Sequence, residues 1–458
     1  MVQIALDRDG GKARPLALIL FVYMALGVQY AALTPAWQVP DEPAHYNVVR
    51  QIAQTGALPR LQRGDYDQAY LERLKAERFP PELPLDRVQY QDYQPPFYYL
   101  LATPVFIASG GSLLALRLLS VAFGAGALIF AYLAVRALTG PASPLPAITA
   151  GFMACLPQHV AMLAGVNNDS LSELLVAAGL FLILKEIRDG EAGPKASRSG
   201  PAAFFFPWSL GLVLGLAFLT KVWAYVLAPA ALVMLGLRWR RLGWAHWRPV
   251  AGRAAQILGP ALLMGALYWG RNWIVCGPFD VLCGNWHNQV VIGQPRTAEW
   301  LAQYGLVGYL ERFARTTFQS FWGQFGWMGV LMDERVYGAL LAFTALLGLG
   351  ALIAWERRRQ RLTPAQRDGL TVLAALAAVT LALYFFYNLT FVQFQGRYLF
   401  AALVPLGLAA AAGLWAWGDL LAGWLRRPVG WLVPVGGLIA MGALCVIALY
   451  RFVLPALA

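Results

Sequence analysis

The sequence predicts an all-α polytopic membrane protein, about eleven transmembrane helices in a single transmembrane domain over 1–458, and three observations predict it. First, 59% of the residues are hydrophobic, only 13% are charged and the mean hydropathy is +0.54, which is more apolar surface than a water-soluble core of this size can hide. Second, stretches near the roughly 20 apolar residues needed to cross a bilayer recur along the chain. Third, the basic residues gather in the connectors at one set of helix ends.

The spans follow in order. The first, 16–36, is long enough to remain as an anchor rather than be removed as a signal peptide. Next come 113–138, 145–163, 170–187, 204–220, 222–238 and 254–275; after a long loop, 336–355, 369–389, 398–418 and 429–452 complete the set. The apolar segment 95–108 is short for a span. Counting it as a crossing would invert every later connector, so it is expected as an outer-surface or re-entrant helix.

A net charge of +12 would suit a nucleic-acid partner, but its location argues otherwise. Arg8, Lys12 and Arg14, Lys185 and Arg188, Arg238, Arg240, Arg241 and Arg248, Arg357, Arg358, Arg359 and Arg361, and Arg426 with Arg427 all fall on one side of the predicted membrane. With a cytoplasmic amino terminus that side is the cytoplasm, as the positive-inside rule requires. The charge sets topology in an inner membrane, and no nucleic acid is expected.

Two extracytoplasmic loops are long, 37–112 and 276–335, and both mix charges with Trp, Tyr and Pro. Each has stretches of helical spacing, at 69–79 and 301–318. Loops of this length are usually functional, and these two are expected to fold on each other as a cap over the bundle. The connector 189–200 reads as a flexible cytoplasmic link. No internal repeat signals an inverted-repeat transporter. Cys276 and Cys283 share the second loop and could pair in an oxidising compartment, or with His287 hold zinc, but unpaired, partly buried thiols are the simpler expectation.

The chemistry points to the outer face. In PDEPAHYN (40–47), Asp41 and Glu42 leave the first span side by side. Partial desolvation there raises a carboxylate's proton affinity and suits it to proton transfer; the structural alternative is an N-cap, since Pro43 can open a helix. In VNNDS (166–170), Asp169 sits at a turn on the same side, again as functional group or cap. Lys221, Arg271 in WGRNW and Arg397 in FQGRY are cations at outer helix ends, where charges are costly and usually face a cavity or a partner. Guanidinium groups there suit a phosphate; snorkelling to the head groups is the alternative. The aromatic stretches DYQPPFYYL (92–100) and QSFWGQFGWMG (319–329) fit an interfacial belt or a surface for sugars and isoprenoid chains. From these motifs His45, Tyr93, Gln94, Asn168, Asn272, Trp322, Gln395 and Tyr398 join Asp169, Lys221, Arg271 and Arg397 as candidate binding residues, with Asp41 and Glu42 as the catalytic candidates. No P-loop, nucleophile elbow or HExxH motif occurs in the sequence.

Taken in order, these motifs resemble the GT-C superfamily of integral-membrane glycosyltransferases, such as protein O-mannosyltransferases and lipid A aminoarabinose transferases. The resemblance is carried by the acidic pair after the first span, PPFYY before the next, Arg117 followed by LLS, and Asp169 at the next outer turn. DEPAH, NND, LTK, FWGQFGW and QGRY are similar to a bacterial branch of that superfamily, and the likeness runs from Val39 to about Pro405. It implies transfer of a sugar from a polyprenyl-phosphate donor to an extracytoplasmic acceptor, with inversion, at the bacterial inner membrane among membrane lipids. Asp41 would be the base, Glu42 and Asp169 would orient acceptor or sugar, and Arg397 would hold the donor phosphate. No cofactor is demanded; a divalent metal ion near the carboxylates is compatible, but no ligand set requires one. As read here the chain carries no soluble carboxyl-terminal domain, a departure from larger relatives that leaves acceptor recognition open. The alternative is a transporter or binding protein for lipid-linked saccharides, which the scarcity of polar groups inside the spans disfavours.

Overall fold

The computed structural model describes residues 14–191 and 201–457; Arg8, Lys12 and most of the 189–200 connector lie outside them. The chain enters through α1 (Arg14–Leu33) and builds its first loop from α2 (Glu42–Thr55), α3 (Gln68–Ala76) and the short apolar α4 (Phe97–Ala108). Helices α5 (Leu113–Thr139), α6 (Leu145–Ala154), α7 (Pro157–Leu163), α8 (Asp169–Glu191), α9 (Pro201–Phe218), α10 (Leu227–Leu242) and α11 (Trp247–Val275) follow. The second loop holds α12 (Gly284–Val290), the long α13 (Thr297–Trp322) and a two-residue hairpin, β1 (Gln324–Phe325) with β2 (Val330–Leu331). The last helices are α14 (Glu334–Arg358), α15 (Pro364–Asn388), α16 (Leu403–Leu425) and α17 (Leu432–Ile447), which runs on through a π-helical turn, Ala448–Val453, to a final turn at Leu454–Leu457.

Helices occur at all eleven expected spans, but not all meet the demands of a bilayer. Eight among the described residues are long and apolar enough to cross, and nine do so if α6 and α7, bent by 66°, count as one. The bend falls where Pro157 opens α7, since its ring removes a donor and clashes with the preceding turn. Of the two positions that fall short, α8 carries Asp169, Glu173, Lys185, Glu186 and Arg188, and the described apolar part of α9 runs only over Phe206–Phe218. Helix α4, at twelve residues, is too short to cross, as its length in the sequence indicates.

In the bundle α5 packs along α8, α9 along α11 and α14 along α16. At the end away from the loops, Glu186 pairs with Arg238 at 3.0 Å and Arg253 at 2.7 Å, while Asp368 pairs with Arg241 at 2.6 Å. These bridges tie α8, α10, α11 and α15 together. The two long loops do fold on each other: Leu61, Leu71, Leu74 and Tyr90 of the first share a small apolar core with Val290 and Val291 of the second. Indole N–H groups close this cap, Trp286 donating to Leu61 O (2.8 Å) and Trp327 to Trp37 O (3.0 Å). The expectation of free thiols fails in the second loop, where Cys276 and Cys283 are joined as a disulfide, their Cα atoms 5.4 Å apart. The turn through Gly277 brings them to bonding distance. Cys155 and Cys445 are free and buried.

Candidate active site

The PDEP segment does start a helix, yet Asp41 does not cap it. Asp41 stands just before α2 in the left-handed region (φ 67°, ψ −4°), and its side chain makes no capping bond. That backbone costs an L-residue roughly 1–2 kcal/mol, and its effect here is to turn the carboxylate away from the helix. Asp41 Oδ2 accepts from Arg397 Nη2 at 2.7 Å and Oδ1 accepts from the Tyr90 hydroxyl at 2.8 Å. Burial alone would push this carboxyl up; the guanidinium, with smaller contributions from His45 and Tyr90, holds it down at about 2.

Arg397 arrives on a 3-10 turn, Gly396–Ala402, that leads into α16. The turn crosses α13 so closely that a Cβ on Gly396 would overlap the backbone of Phe321 and Thr317. Its N–H instead donates to Ser320 Oγ at 2.7 Å. The glycine of QGRY therefore serves close approach, and the approach delivers Arg397 to the site. Arg397 Nε is buried and has no hydrogen-bond partner.

Asp169 also escapes the capping role: Asn167 Oδ1 accepts the Asp169 N–H at 3.0 Å, and the Asp169 carboxylate pairs with Lys221 at 2.7 Å. Both pairs act electrostatically on His45, which feels Asp41, Asp169, Lys221 and Arg397. Burial, then Lys221, pulls its imidazole down to about 3, so it is neutral near pH 7. Its Nδ1 lies 2.8 Å from the Tyr99 hydroxyl. One wall is aromatic, with Tyr398 stacked on Trp223 (centroids 5.0 Å) and Tyr387 edge-on to Tyr398 (5.6 Å). Tyr93 completes the cluster, near enough to feel both Tyr398 and Asp41.

Other expected residues have different work. Glu42 is fully buried and bonded on every side: Arg117 donates to it at 2.8 and 2.6 Å, and Trp37 N–H and Val166 N–H at 3.1 Å each. Arg117 in turn donates to Ala31 O and Thr34 O of α1 and the turn after it. The expectation of a catalytic Glu42 is corrected to that of a structural tie, because no lone pair is left for a substrate. Trp322 is likewise packed inside the bundle, its N–H on Thr344. Asn272 donates to Val281 O and Asn168 to Gln94 Oε1 and Thr220 O; both amides are fully buried and fasten turns. Gln395 donates to Gln393 Oε1 but leaves its own carbonyl buried without a partner. Arg271 lies apart from the Asp41 cluster, in a narrow recess shared with Asp92, Gln94, Tyr99 and Tyr268. Asp92, missed in the sequence, is pushed up to about 7 by burial there. Tyr90 was missed too; in an aromatic-rich loop nothing distinguishes the one phenol that reaches the carboxylate.

Among the described residues no three His, Cys, Asp or Glu side chains are grouped to hold a metal ion. Asp41 and Asp169 are each paired to a cation, Arg397 and Lys221.

No protein-family model and no curated protein matches the sequence. Solved structures do resemble it. ArnT from Cupriavidus metallidurans in the apo state has a TM-score of 0.53 at 16% identity, over 96% of this chain and 73% of that one. The Archaeoglobus fulgidus oligosaccharyltransferase in complex with zinc and sulfate gives 0.53 at 14% identity, over 93% of this chain and 52% of that one. The archaeal oligosaccharyltransferase AglB from the same organism, in complex with an inhibitory peptide and a dolichol-phosphate, gives 0.52 at 14% identity, over 95% and 54%. At these identities the likeness is one of fold, and the fold is that of the GT-C integral-membrane glycosyltransferases, as the motif order in the sequence implies.

Proposed function

We propose that this protein transfers a sugar from a polyprenyl-phosphate donor to a hydroxyl or amine of an extracytoplasmic acceptor, inverting the anomeric carbon. The observation that carries the reading is the Asp41–Arg397 pair at 2.7 Å, with Arg397 Nε unpartnered and the Lys221–Asp169 pair beside it. A carboxylate for the acceptor proton and cations for a leaving phosphate meet in one site, on the fold of known sugar transferases.

In the step, Asp41 takes the acceptor proton as the acceptor atom bonds to the anomeric carbon. The carbon–oxygen bond to phosphate breaks on the opposite side, and its electron pair leaves with the polyprenyl phosphate. Arg397 and Lys221 stabilise that charge. Asp169 orients Lys221, and neutral His45 offers a hydrogen bond without adding charge. Tyr398 and Trp223 give the sugar or the isoprenoid an aromatic wall.

The test is sugar transfer by the reconstituted chain, with a panel of labelled polyprenyl-phosphate sugars and envelope extract as acceptor. Wild type transfers one of them, and Asp41→Asn lowers the rate by at least about 10²-fold while folding normally. Transfer by Asp41→Asn at the wild-type rate would remove Asp41 as base. Donor binding without transfer across the panel would favour a binding protein.

A further inference from the structure

The site as it stands contains an apparent contradiction, because the carboxylate that should accept a proton is held by a guanidinium that weakens it as a base. The edge of that guanidinium resolves it. Nε and Nη2 form one two-donor edge of the fork, suited to two oxygens of a single anion. Asp41 occupies Nη2 alone, while Nε stays buried and unpaired. A buried donor without a partner is unfavourable. The two non-bridging oxygens of a phosphodiester would satisfy both donors, which a single Asp41 oxygen does not.

We propose that the Asp41–Arg397 pair is exchangeable: donor phosphate takes the Nε–Nη2 edge of Arg397, frees Asp41 to act as base, and leaves Tyr90 as the group that holds Asp41 in position. This rests on the transferase reading and deepens it. Tyr90 reaches the other oxygen, Oδ1, at 2.8 Å, so the oxygen released by Arg397 is the one that faces an acceptor. The remaining groups around Asp41 favour the exchange. His45 is neutral, and Lys221 is already paired with Asp169, so no second cation replaces Arg397 at the freed oxygen. Tyr398, beside Arg397, stays with the phosphate side. The consequence is an order of events: a base that is strong only when donor is bound does not activate an acceptor in its absence.

The experiment measures binding of undecaprenyl phosphate to the full chain in phosphatidylcholine and phosphatidylglycerol nanodiscs. At pH 7, Asp41→Asn and Asp41→Ser both bind about tenfold more tightly than wild type, because Arg397 no longer has to be released. Two variants of different shape guard against a folding defect in either. Arg397→Gln binds at least tenfold more weakly. In the transfer assay Tyr90→Phe lowers kcat about tenfold with the donor KM unchanged, a split that a merely structural role would not produce. Equal or weaker binding by both Asp41 variants would overturn the exchange while leaving the transferase reading to its own assay. Absence of binding by wild type and variants alike would overturn both.

Discussion

Glu42→Gln separates the two acidic neighbours more sharply than any kinetic assay. Glu42 is completely buried, and Arg117 is 3% exposed. The carboxylate accepts four hydrogen bonds, two from the guanidinium and two from backbone N–H groups. Glutamine keeps the shape but offers one oxygen, and its amide would point donors at donors. The variant thus leaves a buried guanidinium without its counter-charge and at least one backbone donor unsatisfied. Removing one partner of a buried pair costs about 3–5 kcal/mol, so the unfolding midpoint of Glu42→Gln in detergent falls by several degrees and little protein survives purification. Asp41→Asn, at a side chain 24% exposed, unfolds near the wild-type midpoint. Adding Arg117→Met to Glu42→Gln restores part of the loss, because the orphaned charge is gone and the glutamine oxygen can still accept from a backbone N–H. A Glu42→Gln protein with wild-type stability and abolished transfer would refute this reasoning and return Glu42 to catalysis.

Two further outcomes follow from the loops. Burial lifts the Asp92 carboxyl to about 7 in the fold, against about 3.9 in an unfolded chain; the stability of its protonated form is full below pH 4 and lost as pH rises through 7. Asp92→Asn, which cannot ionise and keeps an oxygen for Gln51, therefore gains on wild type in unfolding midpoint between pH 5 and pH 8, and parallel curves would refute the assignment. Cys276→Ser removes a crosslink over seven residues and costs about 2 kcal/mol. In intact cells or spheroplasts, reduction exposes two thiols of the wild type to a membrane-impermeant maleimide, with Cys155 and Cys445 silent; labelling only after permeabilisation would put this loop on the wrong side.

The fold was legible because bilayer thickness imposes a length on apolar segments that no soluble core does, and the cap was legible from two long loops rich in aromatic residues. What hydropathy does not carry is partnership. Asp41 and Glu42 are neighbours in sequence with the same chemistry, and only the left-handed backbone at Asp41 sends one to the site and the other to Arg117. Arg117 lies 75 residues away inside an apolar span, where sequence marks it as costly without saying what offsets the cost. Depth alone grouped Arg271 with Arg397 and Lys221, yet Arg271 donates to Asn272 and Pro59 O of the first loop and faces Asp92. The capping reading of Asp169 failed for a local reason: the helix already begins at Asp169, whose own N–H is accepted by Asn167 Oδ1, and its carboxylate pairs with Lys221.

The site draws on five segments remote in sequence: the turn before α2, the loop around Tyr90, the start of α8, and two 3-10 turns, Val222–Val226 and Gly396–Ala402. Lys221 immediately precedes the first of these turns, and Arg397 lies in the second. Irregular backbone near membrane depth persists where protein or a cavity satisfies it, and here the turns let each cation emerge at the cavity instead of along a helix side. Each cation is then stored against a carboxylate, Lys221 on Asp169 and Arg397 on Asp41. An incoming phosphate need not drag a guanidinium out of water, because it replaces one anion with another, and the desolvation of the cation has been met during folding. The same pairing that stabilises the folded site thus lowers the cost of binding a lipid phosphate and, for Arg397, converts that binding into release of the base.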